Sequence, residues 1–172
     1  VKLAVGVMEQ AEYYEVAIFD FKPRILKHSV YPVSTSRDRL SFTFESVSSE
    51  KVVRKKVQFV LIADGLYNLA FGDVSSRGEL DDLVVTDNKD MYEVLATVIQ
   101  ILRIFLELHP DEAIYVKGST PSRTRLYQII LTKEISDWND KFVVFGIENG
   151  IFIPFEPDRH FDSFIIKLKK QL

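Results

Sequence analysis

The chain has 172 residues, 47% of them hydrophobic and 27% charged, enough apolar surface for one domain core and too much for disorder along most of its length. It holds no cysteine, which excludes disulfides, thiolate metal ligands, iron–sulfur clusters and a cysteine nucleophile. No apolar run reaches the roughly 18–20 residues that span a bilayer. The net charge of −3 is spread over both halves, so a broadly basic nucleic-acid surface is excluded and only a local basic patch remains open.

The chain opens on Val1, and Met8 is its first methionine. Val1–Val7 reads either as an appended tag or as the remainder of a longer chain. It lacks the apolar core and small-residue cleavage site of a signal peptide, so a cytoplasmic location is expected. Tyr13–Phe21 is apolar, and residues 1–21 read as an extension of uncertain role. Residues 28–41 read as a polar connection to a core spanning 42–168, the whole 1–172 forming a single domain.

Strand signals fill the first half of the core. Phe42, Phe44 and Ser46 alternate with Thr43, Glu45 and Val47, the period of a half-buried strand. Lys51–Ile62 continues the pattern, Val53, Lys55 and Val57 alternating with Val52, Arg54 and Lys56. Asp64–Gly65 predicts a hairpin turn into Leu66–Phe71, because both residues tolerate positive φ.

A helical period begins at Met91. Asp90 with Glu93 reads as a capping box. Leu95, Val98, Ile99, Leu102 and Phe105 form one stripe, broadened by Ile101, Ile104 and Leu108, so a helix buried on most sides is expected. His109–Pro110 ends it. Ala113–Lys117 is a short strand. Thr120 and Pro121 then start a second helix, with Leu126, Ile129 and Ile130 as its apolar face and its end near Asp137. Lys141–Ile147 and Ile151–Phe155 are strands about an Asn149–Gly150 turn, and Phe164–Leu168 is a strand or a short helix. The expected class is α+β: a mostly antiparallel sheet with two main helices packed on one face.

Two clusters could carry function. In Tyr115–Tyr127 a strand enters a helix through Gly118, Ser119 and Thr120, and no Asp or Glu occurs between Ala113 and Lys133. Lys117, Arg123 and Arg125 therefore gather at a helix N-terminus, which itself carries positive potential. A phosphate, a nucleic-acid backbone or a carboxylate would satisfy that charge, with Ser119, Thr120 and Ser122 as further donors. The competing explanation is structural, with the arginines paired to acids elsewhere in the fold. A P-loop is excluded, because its glycine and lysine spacing is missing.

The second cluster is acidic. Asp73, Asp81 and Asp82 could hold a divalent cation through hard oxygen ligands, but no required ligand spacing is met, and solvated turns or partners for Arg123 and Arg125 explain them as well. His28, His109 and His160 are scattered, no nucleophile elbow is present, and the aromatics read mainly as core. No cofactor and no metal is expected.

The segments Tyr67–Asp73, Asp81–Asp82, Asn88 with Asp90, Val94–Val98, and Gly118-Ser119-Thr120 through Arg123, Arg125, Leu126 and Tyr127 together resemble a family of small, uncharacterised bacterial proteins classed as a domain of unknown function. The resemblance spans about residues 42–168. It implies one domain and brings no activity. The leading expectation is a non-enzymatic binding or interaction domain that forms a homodimer by edge pairing, with a protein or nucleic-acid partner and no membrane. One alternative is a metal-dependent phosphoesterase or nuclease-like enzyme, in which Asp73, Asp81 and Asp82 hold a metal and Arg123 and Arg125 hold phosphate. Another is a toxin–antitoxin or phage-defence component.

Overall fold

A computed structural model describes residues 14–15, 29–81, 89–138 and 140–169. Among the described residues, ten strands and two helices follow one another. The first five strands are β1 (Tyr14–Glu15), β2 (Ser34–Thr35), β3 (Ser41–Val47), β4 (Val52–Ala63) and β5 (Leu66–Val74). Then come β6 (Leu80–Asp81), α1 (Met91–Leu108), β7 (Ala113–Val116), α2 (Pro121–Trp138), β8 (Phe142–Glu148), β9 (Ile151–Pro154) and β10 (Ser163–Leu168). The strands form one sheet in the order β1-β2-β3-β4-β5-β7-β10-β8-β9, with β6 also on β5. Every described pairing is antiparallel except β5 with β7. The α+β class holds, with one parallel crossover through α1.

Turn chemistry sets the register. Asn149 and Gly150 take φ of 51° and 77°, the left-handed pair that a two-residue hairpin needs. At the other hairpin only Gly65 goes positive, at 67°, and the β4–β5 ladder shifts register between Leu61 and Ala63. The bulge absorbs the mismatch that a second positive φ would otherwise have to supply.

One sheet face carries the core. Phe42 opposes Val57, Phe59 opposes Leu69, and Phe164 opposes Val116 and Gly146. Since side chains alternate along each strand, these pairs fix a common face. The buried side of α1, including Val98, Ile101, Leu102 and Phe105, joins the same cluster. The Phe105 and Phe59 rings stack with centroids 3.9 Å apart. Phe161 lies over Gly146, where a Cβ would collide with its ring, so the absent side chain makes room for a buried aromatic.

Three local expectations change. Asp90 does not cap α1 with its side chain. Its carboxylate accepts instead from Tyr31 Oη at 2.6 Å and Ser46 Oγ at 2.5 Å. On α2, Ile129 is exposed while Thr124, Gln128, Ile130 and Leu131 are buried. The Gln128 amide donates to the carbonyls of Pro157 and Arg159, so a polar side chain holds the loop before β10. Within the stretch read as a polar connection, Val33 and Thr35 are buried and β2 joins the sheet; His28 lies outside the described residues, as does the Tyr13–Phe21 stretch apart from β1. Phe164–Leu168 proves to be a strand. No helix among the described residues is long and apolar enough to cross a membrane.

Candidate functional site

The parallel pair leaves a gap in the sheet. β7 covers β5 only at Leu66, Tyr67 and Asn68. Further along the same edge, β6 covers Asp73 and Val74. Between them, Leu69–Gly72 has no strand on that side among the described residues, because the chain after Val116 leaves the sheet for α2. A cavity of about 850 Å³ opens at this gap. Its position follows a general rule of parallel strands, whose carboxyl ends and following helix N-termini frame crevices.

Each side of the cavity comes from one element. β5 contributes Leu69–Asp73, α1 its first turn with Met91, Tyr92, Val94 and Leu95, and α2 contributes Arg123, Leu126 and Tyr127. Tyr115, Lys117, Gly118 and Ser119 follow along the end of β7. The interior is therefore mainly apolar and aromatic, with a few polar groups, which is the usual make-up of a small-molecule pocket.

The strand-to-helix turn is built as its sequence implies. Thr120 Oγ1 accepts from Arg123 N at 3.3 Å, capping α2 above Pro121. Gly118 N donates to Thr124 Oγ1 at 3.0 Å. A Cβ on Gly118 would fall 2.6 Å from Arg123 Cβ, so the turn packs on the helix only with glycine there. Arg123 lines the cavity and its Nη1 donates to Ser119 Oγ. Lys117 and Ser119 also line it. Thr120 and Arg125 are exposed and lie outside its wall. Two residues along a helix are about 200° apart, which separates Arg125 from Arg123. Burial pushes the Tyr127 phenol up to about 12, against the Arg123 charge, which pulls it down.

The acidic cluster divides. Asp73 and Asp81 sit opposite each other in the β5–β6 register, and Asp82 lies outside the described residues. Asp73 Oδ1 is 2.5 Å from Lys55 Nζ. Among the described residues, no three His, Asp or Glu side chains come together in a way that could hold a metal ion.

Lys55 is the residue that motif reading passes over. It stands on β4 opposite Phe44 and Asp73, on the core face, and its side chain is only 4% exposed. It lines the cavity. The signal was present: Lys55 is in phase with Val53 and Val57, so a period-two strand carries an ammonium inward. Around the cavity the cations Lys55, Lys89, Lys117 and Arg123 outnumber the carboxylates Asp73 and Asp90. Lys89 pairs with Glu50 at 2.9 Å on the exposed rim.

The chain belongs to a family of unknown function, DUF6934, whose model matches residues 27–169. The match begins well before Phe42, in keeping with the buried Val33 and Thr35. No curated protein and no solved structure matches the chain.

Proposed function

We propose that this chain is a binding domain for a small amphipathic anion, held in the cavity between β5, α1 and α2 with its charge toward the Gly118–Arg123 turn. The observation that carries the reading is the cavity itself: an apolar chamber of about 850 Å³ whose polar lining is cationic in excess. A phosphate or carboxylate near Lys117, Ser119 and Arg123 offsets that charge, and the apolar walls take the body of the ligand. The N–H groups at the start of α2 add to the attraction. Thr120 and Arg125 act around this site through the cap and the outer field.

The reading is that of a binding domain, in which Lys117, Ser119 and Arg123 hold the anion. Self-association through the β9 edge accompanies it as a separate proposal. Titrating the protein with inorganic phosphate, aryl phosphates, nucleotides and divalent metals, followed by melting temperature, tests the assignment, since a ligand selective for the native state raises the midpoint. Organic phosphates should raise it in wild type and fail to do so in Lys117→Ala/Arg123→Ala. Flat curves for every anion would reject the reading.

A further inference from the structure

Lys55 is a buried ammonium in the wall of the cavity. An ammonium carries three N–H groups. Its one partner among the described residues is Asp73, at 2.5 Å. The side chain is 4% exposed, and the residue lines the cavity. A charged donor gains from each acceptor it meets away from bulk water. The cavity lies beside it, so an acceptor brought there by a ligand can take one of the remaining N–H groups.

Resting on the cavity reading above, we infer that Lys55 and Asp73 form a second recognition point for the same ligand, selecting a neutral acceptor on its body rather than a second anion. The pair is internally neutral. A second anionic group would set another negative charge beside Asp73 in a poorly solvated place. A carbonyl oxygen or ring nitrogen accepts from the ammonium without adding charge. Phe71, Tyr92, Tyr115 and Tyr127 among the lining residues suit a planar ring. The ligand class is therefore a phosphate ester of an acceptor-bearing ring, of which a nucleoside monophosphate is the simplest example. Its phosphate lies toward Lys117 and Arg123, and its ring carbonyl or ring nitrogen meets Lys55.

Calorimetry of the wild-type protein with two probes tests this. Uridine 5′-monophosphate and phenyl phosphate share the anion and a ring, but only the first has ring acceptors. Hydrogen bonds to a charged group contribute about 1.5–3 kcal/mol, so the uridine probe should bind at least about tenfold more tightly. The double variant Lys55→Met/Asp73→Leu replaces the ion pair by an apolar pair and should erase the preference while phenyl phosphate still binds. Equal binding of both probes by wild type would overturn the role of Lys55 and leave the cavity reading standing. A preference that survives in the double variant would also overturn it. If neither probe binds, the cavity reading falls and takes this inference with it.

Discussion

Lys55 and Asp73 face each other across the β4–β5 ladder, Nζ 2.5 Å from Oδ1, with both side chains nearly out of solvent. A buried pair of this kind contributes little net stability, because desolvation offsets attraction, but removing one partner strands the other. Lys55→Met should therefore lower the unfolding free energy by about 3–5 kcal/mol. Lys55→Met/Asp73→Leu should recover most of that loss. Urea unfolding of the two variants beside wild type measures both. A double variant as unstable as the single one would mean that the pair holds the β4–β5 register as well as its own charges.

The turn into α2 depends on a missing side chain. A methyl on Gly118 would strike Arg123 Cβ and the backbone of Thr124. Helix backbone cannot yield as a flexible side chain can, so Gly118→Ala should cost about 1–3 kcal/mol, the usual range for overpacking. It should also tilt Arg123 away from the cavity. Thermal unfolding measures the first effect, and phosphate-ester affinity measures the second. A Gly118→Ala protein with wild-type melting and wild-type affinity would show that the turn has slack the geometry does not suggest.

Tyr127 supplies a pH test. Its phenol is pushed up to about 12 by burial, from an ordinary value of 10.0, even though Arg123 pulls the other way. The folded state thus holds this proton more tightly than the unfolded chain does. The resulting stability is complete below pH 10 and is lost as pH rises toward 12. In the difference between wild type and Tyr127→Phe, phenolate absorbance should titrate near 12, and the variant should lose less stability across that interval. An ordinary midpoint would mean that water reaches the phenol.

Much of the fold was written in the periodicity. The strands from Phe42 to Phe71 and the α1 stripe follow from alternation and a 3.6-residue repeat, since burial on one face imposes both. What the sequence hid are places where a polar residue does an apolar residue's work. Gln128 lies on the buried side of α2 because loop carbonyls satisfy its amide, while Ile129 beside it faces out. Asp90 looks like a helix cap, but the cap competes with two hydroxyls that the sheet brings from Tyr31 and Ser46. Of the candidate site, Lys117, Ser119 and Arg123 were legible because they fall within one seven-residue segment. The cavity was not, since it arises where β7 stops short on β5, a fact of pairing length that no local motif encodes.

The Asp90 arrangement leads to its own expectation. Its Oδ2 accepts from both hydroxyls, and the resulting link ties residue 31 and β3 to the start of α1. Burial and the nearby Asp90 raise the Tyr31 pKa above 10.0. Asp90→Ala removes two hydrogen bonds to a charged acceptor, each typically about 1.5–3 kcal/mol in proteins, with partial exposure lowering the sum. A loss of about 2–3 kcal/mol is expected. Tyr31→Phe/Ser46→Ala should show a smaller effect, because the carboxylate can then turn to water or to the free N–H groups of α1.

Strand β9 ends the sheet, and Ile151 and Phe152 on it are each 63% exposed. An edge of this kind, apolar and with no further strand on it among the described residues, is a template for another strand unless charge or curvature blocks it. No lysine or arginine lies between Lys141 and Arg159 to provide that block, and Pro154, which has no N–H to donate, stands only at the end of the strand, leaving Ile151–Ile153 to pair. Under the self-association proposal, β9 pairs antiparallel with its own copy, extending the sheet across two chains. Sedimentation of wild type over a concentration series should then show a monomer–dimer equilibrium. Phe152→Lys places like charges close together across the two-fold axis and should weaken the dimer at least about tenfold, the effect of roughly 1.4 kcal/mol. Ligand affinity should stay unchanged, because Phe152 does not line the cavity. A wild-type chain that stays monomeric throughout the series would reject edge pairing, and a dimer indifferent to Phe152→Lys would move the interface to another face.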